Sequence, residues 1–202
     1  MEIYTQLKLF AYILGQEVSS GMLRADTRVA GGTKAALVIP RIGLGTGGLK
    51  GAIAVGVVRT ALEVGYRHLD TAEQYMNEDQ VGEGLLASGV PRTAVVLTSK
   101  YQSLHADQGG KLGCGFGVRG DVFRSLNASL ARLRTTFLDV YLVHFPTPVV
   151  LRNGQLVEAH CGVGTMLAER RATVWREMIE ARRTGLVSPA LIHRRVNARC
   201  AT

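Results

Sequence analysis

The sequence contains no paired cysteines. Cys114, Cys161 and Cys200 are odd in number, widely spaced and without a C-x-x-C interval. This argues against a zinc ribbon, a dithiol redox motif or a secreted disulfide scaffold, and suits a reducing cytoplasm. An apolar run long enough to span a bilayer is also lacking, because Pro40, Arg41, Lys50 and Arg59 interrupt the most hydrophobic region, so no membrane partner is expected. The opening MEIYTQLKLFAYILGQ has an acidic second residue, a lysine within its apolar part and no clear cleavage site, which speaks against a secretory signal. Aromatic residues are scarce, and none is interleaved with the basic stretches Arg170-Arg171, Arg182-Arg183 and Arg194-Arg195 to Arg199. With no nucleic-acid module signature beside them, those stretches read as solvated helix faces, and nucleic acid is not expected as a partner.

What is present describes one globular α/β domain. A length of 202 residues matches a single domain, and 47% hydrophobic content supplies its core. Lys and Arg number 24 against 16 Asp and Glu, a formal charge of +8. Scattered basic residues of this kind suit anionic small molecules such as phosphorylated cofactors. Residues 1–36 have weak periodicity and end near Gly31-Gly32, so they read as an N-terminal extension. Beyond them strand and helix patterns alternate. LVIPRIGL (Leu37 to Leu44) is a short apolar strand run, and Ala52 to Val64 has helical spacing. YRHLDT is extended, Glu78 to Ala87 is helical, and AVVLTS (Ala94 to Ser99) is rich in the β-branched residues that strands prefer. The strongest helix begins at Asp121, read as its N-cap, with a core stripe of Phe123, Leu126, Leu130, Leu133 and Phe137. DVYLVH (Asp139 to His144) is a buried-strand pattern, and Thr173 to Ala181 is a last helix. Four strand-helix units with short links predict a parallel sheet. Pro189 to His193 offers at best a poor fifth strand.

Two motifs compete for the functional reading. Gly43, Gly45 and Gly48 in IGLGTGG satisfy G-x-G-x-x-G between a strand and a helix, with Asp70 available as the ribose-binding acid of a dinucleotide fold. Glycine-rich strand-to-helix turns are common, however, and no Gly-Lys-Ser/Thr follows to make a triphosphate loop. The dinucleotide reading also leaves Thr71, Ala72, Tyr75, Asn77 and Glu78 unexplained. Those residues, with Asp70, form the pattern D-T-A-x-x-Y-x-N-E inside GYRHLDTAEQYMNEDQVGEG. Lys100 closes the next strand in VVLTSKY, and His144 closes the one after in DVYLVHFP. Singly, each has an ordinary explanation: a helix cap, a half-buried ring, a solvated strand end, a core histidine. Four in order at the C-terminal ends of successive parallel strands are hard to explain that way, because that end is the active-site face of a β/α barrel.

The pattern resembles the signature of the aldo-keto reductases, including Gly65, Arg67 and the approach GVPRTAVVLTSK to the lysine. The resemblance covers roughly Val38 to Gly185. It implies the (β/α)₈ TIM-barrel fold, here a partial barrel of about four to five β/α units over residues 37–187. It also implies an NADPH-dependent oxidoreductase that reduces aldehydes or ketones to alcohols without a metal. In that reading Tyr75 donates the proton to the carbonyl oxygen. A free phenol, with a pKa near 10, is a slow donor at neutral pH unless a cation stabilises its phenolate. Lys100 would be that cation, Asp70 would hold it charged and aimed, and His144 would bind the substrate carbonyl. Gly45, Thr46 and Asp70 would line the nicotinamide end of the cofactor, which absorbs the glycine motif without a dinucleotide fold.

The chain also departs from that family. After Thr184-Gly185-Leu186-Val187 the family continues into a fifth strand ending in a Ser-Asn pair that holds the nicotinamide amide, whereas this sequence reads SPALIHRRVN, a divergent basic tail over residues 188–202. The later cofactor-gripping strands have no counterpart either. An open half barrel leaves two strand edges to be satisfied. The sequence therefore carries two expectations: a reductase shortened as a truncated or mis-spliced product, or an inactive half barrel that acts by self-association through its open strand edges.

Overall fold

A computed structural model describes residues 22–25, 37–102, 119–145, 149–152, 155–158 and 165–187 of the chain. The three cysteines, the tail over 188–202 with its proposed fifth strand, and most of the N-terminal extension lie outside the described residues. Within them, β1 (Met22–Ala25) pairs antiparallel with β2 (Leu37–Pro40), Leu23 lying opposite Ile39. The boundary expected between residues 36 and 37 therefore divides two strands of one sheet. The run Leu37 to Leu44 is likewise not a single strand. It breaks after Pro40, which has no backbone N–H to carry a ladder onward, and resumes as β3 (Leu44–Gly45) in a different sheet.

From β3 the alternation expected of the sequence is found: α1 (Gly51–Glu63), β4 (His68–Asp70), a three-residue 3₁₀ turn (Glu73–Tyr75), α2 (Glu78–Ala87), a second 3₁₀ turn (Arg92–Ala94), β5 (Val96–Tyr101), α3 (Asp121–Arg132) and β6 (Val140–Val143). A hairpin of β7 (Val149–Arg152) and β8 (Gln155–Glu158) follows, then α4 (Thr165–Arg183). Asn153-Gly154 stands between β7 and β8 in the sequence, a strong hairpin dipeptide. Among the described residues no helix is long and apolar enough to cross a membrane.

The central sheet is parallel with the order β3-β4-β5-β6. Each strand sits beside its predecessor with no reversal, so among the described residues there is no switch point of the kind a doubly wound dinucleotide fold uses. The winding continues, since Val187 bridges in parallel to Leu138 beside the start of β6. The chain thus forms four successive β/α units of a partial α/β barrel and begins a fifth.

Strand alternation sorts the two faces of this sheet. Leu69, Leu97, Tyr101 and Tyr141 point into a core shared with Val58, Leu62, Val81, Leu126, Leu130 and Met178 of the helices. Asp70, Thr98 and Lys100 occupy the other face. The helix layer is closely packed. A Cβ at Gly84 of α2 would lie 2.8 Å from both the carbonyl oxygen of Val55 and Cβ of Val58 on α1.

The caps differ from those expected. Asp121 is the first residue of α3, not its cap; it is fully buried and accepts hydrogen bonds from Tyr101 Oη and, at 3.2 Å, from Arg124. Two amides at that helix end are taken by Glu177 of α4, whose carboxylate accepts from Gly120 N and, at 3.1 Å, from Val122 N. Phe137 lies beyond the helix, with the Arg92 guanidinium 4.1 Å over its ring.

The α1–α2 contact yields a prediction with opposing terms. Gly84→Ala gains about 1 kcal/mol of helix propensity, yet its methyl meets backbone, and overpacking costs about 1–3 kcal/mol. Net destabilisation of up to about 2 kcal/mol is expected, seen as a lower urea midpoint at unchanged slope; a raised midpoint would contradict this packing.

Candidate functional site

The C-terminal ends of β4, β5 and β6 bring the expected residues together, and the strand register explains how. Asp70 pairs with Thr98, two residues before Lys100, and Lys100 pairs with Leu142, two residues before His144. Each chemical group therefore sits two residues further along its strand than the residue paired with its predecessor. In a barrel whose strands tilt, such a stagger keeps the side chains at one height.

Lys100 is the centre of the cluster. Its side chain is 4% exposed, and Nζ donates to Asp70 Oδ1 at 2.5 Å, to the Thr71 carbonyl at 3.0 Å and to Tyr75 Oη at 3.2 Å. All three N–H groups of the ammonium are thereby directed. Asp70 keeps 26% of its side chain exposed, so one edge of the pair faces the open side of the site.

Tyr75 comes from the 3₁₀ turn Glu73–Tyr75, which a left-handed Met76 (φ 49°) closes. His144 follows β6, extends its pairing by donating its backbone N–H to Tyr101 O at 3.0 Å, and meets the Tyr75 ring edge-on at 5.6 Å between centroids. Phe145 stacks on the other side of the imidazole at 4.6 Å. Burial, assisted by the Lys100 charge, lowers the His144 pKa to about 4. The ring is neutral at physiological pH, and its buried Nδ1 has no hydrogen-bond partner among the described residues. A neutral imidazole next to a phenol and an ammonium can hydrogen-bond a polar ligand atom without adding a second positive charge.

The loop after β3 completes the site. Gly45 pairs with Asp70, and Thr46 is fully buried with both its backbone N–H (2.9 Å) and its Oγ1 (3.2 Å) donating to the Asp70 carbonyl. Thr46 therefore fixes the strand end and has no further hydroxyl proton to give. The side chain of Asn77 donates to Thr46 O at 2.7 Å and Leu49 O at 2.9 Å, pinning this loop to the turn that carries Tyr75. The glycines of the G-x-G-x-x-G match have local duties instead: a Cβ at Gly43 would lie 2.7 Å from the His68 ring, and Gly48 has a positive φ of 82°.

Comparison with known proteins agrees with the geometry. The profile of the Aldo/keto reductase family matches residues 41–189, well over half of the chain. The chain belongs to this family. It is 40% identical over 114 residues to a methylglyoxal reductase of Salmonella typhi, a match covering 55% of this chain and 38% of that protein. Among solved structures, an aldose reductase from Schistosoma japonicum superposes with a TM-score of 0.59 at 31% identity, covering 75% of this chain and 48% of the other. An aldo-keto reductase from Bombyx mori in complex with NADP gives 0.56 at 29% identity, covering 75% of this chain and 45% of the other. The chain thus spans less than half the length of these aldo-keto reductase relatives.

Residues the sequence reading passed over also bear on the site. Lys50 donates from its exposed ammonium to the Tyr75 carbonyl. Glu73 is buried, and its carboxylate accepts from Ser125 Oγ at 2.6 Å and Gln102 N at 3.3 Å. Those partners lie 52 and 29 residues away, too far for any spacing rule to find.

The lowered pKa of His144 carries a pH consequence. The unfolded ring takes its proton near pH 6.5, whereas the folded ring resists protonation down to about pH 4. Between those values the unfolded state binds more protons, so stability falls as pH drops through that window. His68, also lowered by burial, acts in the same direction. Replacing His144 by Gln should flatten the acid-side decline in urea-measured stability by on the order of 2 kcal/mol; an unchanged slope would contradict the buried neutral ring.

Proposed function

We propose that this site reduces the carbonyl group of an aldehyde or ketone to an alcohol with NADPH. Tyr75 is the proton donor, Lys100 and Asp70 its electrostatic support, and His144 the group that binds the carbonyl oxygen. The observation that carries the reading is the contact of Lys100 Nζ with both Tyr75 Oη, at 3.2 Å, and Asp70 Oδ1, at 2.5 Å. As the phenol releases its proton, the developing negative charge faces a buried ammonium that is already oriented, so little reorganisation is needed. The neutral His144 ring meets the phenol edge-on, where its N–H can orient the carbonyl and share the charge growing on oxygen.

NADPH, when bound, supplies the hydride for the carbonyl carbon. The residues fit its nicotinamide end on one observation: a Cβ at Gly47 would stand 3.5 Å from Tyr75 Cζ, so glycine leaves that side of the phenol clear of a side chain. Gly45 and Asp70 would border the ring there, and Thr46 would act by holding the Asp70 strand end. NADP in the complex of the Bombyx mori relative supports the choice of cofactor.

A second reading has its own observation. Within the four-stranded sheet the outer edge of β3 has no strand partner among the described residues, and Ile42, Ile53 and Val64 are strongly exposed. An inactive half barrel that self-associates through this edge would use that surface.

The two readings separate in solution. On the reductase reading, purified chain quenches or shifts NADPH fluorescence saturably. It also oxidises NADPH in the presence of an aldehyde, and Tyr75→Phe lowers kcat by about a hundredfold or more with cofactor binding intact. Concentration-dependent dimers without any cofactor response would instead favour the half-barrel reading.

A further inference from the structure

We propose that Glu73, outside the four proposed catalytic residues, is a positioning residue that sets the distance between the Tyr75 phenol and the Lys100 ammonium. The inference rests on the reading of Tyr75 as proton donor. The turn that carries Tyr75 is short and has little strength of its own. Tyr75 N donates to Ala72 O at 3.0 Å and Met76 N to Glu73 O at 3.1 Å, and Met76 then takes a left-handed conformation. Three residues of 3₁₀ geometry ending in a left-handed non-glycine residue persist only where the surroundings hold them.

Beyond the Lys50 and Lys100 contacts to Tyr75, two buried side chains, Asn77 and Glu73, tie this turn to its surroundings. Asn77 ties it to the loop after β3 through Thr46 O and Leu49 O. Glu73 ties it to the strand that carries Lys100. Its Oε2 accepts from the backbone N–H of Gln102, two residues beyond Lys100, and from Ser125 Oγ on α3. Ser125 in turn lies 3.2 Å from Tyr141 Oη, beneath β6. One carboxylate thus joins the turn to β5, α3 and β6, the elements that also fix Lys100 and His144.

The charge makes this more than filler. Glu73 shares one guanidinium with a second buried carboxylate: Arg132 Nη2 lies 2.7 Å from Glu78 Oε2 but 3.8 Å from Glu73 Oε1. Glu78 also accepts from Ser99 Oγ, the neighbour of Lys100, at 2.6 Å. Two buried carboxylates around one cation are costly to desolvate, and a fold that needed only volume here would do as well with an apolar side chain. What the charge adds is short, stiff hydrogen bonds to the elements bearing the reacting groups. A displacement of about 1 Å between donor and substrate can cost about a hundredfold in rate.

The test labels tyrosine with carbon-13 at Cζ and follows the Tyr75 line by NMR, assigned by its loss in Tyr75→Phe. In Glu73→Ala the Tyr75 line should shift or split while that of Tyr66, remote from the cluster, stays in place. Glu73→Gln, which keeps an acceptor oxygen of the same shape, should restore it. In NADPH-dependent aldehyde reduction, Glu73→Ala should lower kcat about tenfold to a hundredfold with KM nearly unchanged, and Glu73→Gln should recover most of it. If Glu73→Ala fails to fold, Ser125→Ala removes one anchor with less disturbance and should still move the Tyr75 line. An unmoved Tyr75 line in folded Glu73→Ala, or in Ser125→Ala where that variant is the one that folds, overturns the proposal. A moved line in a chain that reduces no aldehyde upholds the positioning role and sinks the reductase reading instead.

Discussion

The buried ammonium of Lys100 organises the candidate site of this chain. Taking the Lys100 charge out of water costs several kcal/mol, and removing one partner from a buried pair costs about 3–5 kcal/mol. The fold meets that demand with a carboxylate, a backbone carbonyl and a phenol oxygen, one for each N–H of the ammonium. Each comes from a different piece of local structure: the end of β4, the residue after it, and the 3₁₀ turn. The ammonium therefore works as a constraint. Strand register, turn geometry and the loop after β3 all have to agree for it to remain charged and buried.

The barrel architecture supplies that agreement. Parallel strands in sequential order, each functional residue stepped by two along its strand, carry Asp70, Lys100 and His144 to a common level. Behind them the opposite face of the sheet packs on the helices through a continuous apolar core. Between core and site lies a polar layer of Glu73, Glu78, Ser99, Ser125 and Arg132, which fastens the strand ends to α2 and α3. The site is braced on the side where this layer supports it and open on the side where Asp70 keeps part of its side chain exposed.

Much of this was legible in the sequence for an identifiable reason. Strand and helix periodicities report which residues face the core, so β4, β5, β6, α2 and α3 emerged within a few residues of their observed ends. D-T-A-x-x-Y-x-N-E was readable because Asp70, Thr71, Tyr75, Asn77 and Glu78 lie close together in the chain and act on one turn. What escaped depended on distant partners. Asp121 looked like a helix cap because residue-type preference sees only the local chain, whereas the cap is a glutamate from α4, 57 residues beyond Gly120. Leu37 to Leu44 looked like one strand because hydrophobicity does not reveal that its first half pairs with Met22–Ala25. Glu73 carried no signal, its partners being on β5 and α3. The β7–β8 hairpin is a different matter, since its dipeptide Asn153-Gly154 is a local signal that the sequence does carry.

The proposed hydride chemistry at a carbonyl rests on family membership and on the clustering of Asp70, Tyr75, Lys100 and His144 at the strand ends. The most direct measurement is the fate of the hydride. With NADPH deuterated at the transferring position of the nicotinamide and an aldehyde as acceptor, the account predicts one deuterium at the carbinol carbon of the product, and none there when the label is in the solvent alone. A product without cofactor deuterium, or no product with NADPH present in excess, would contradict it.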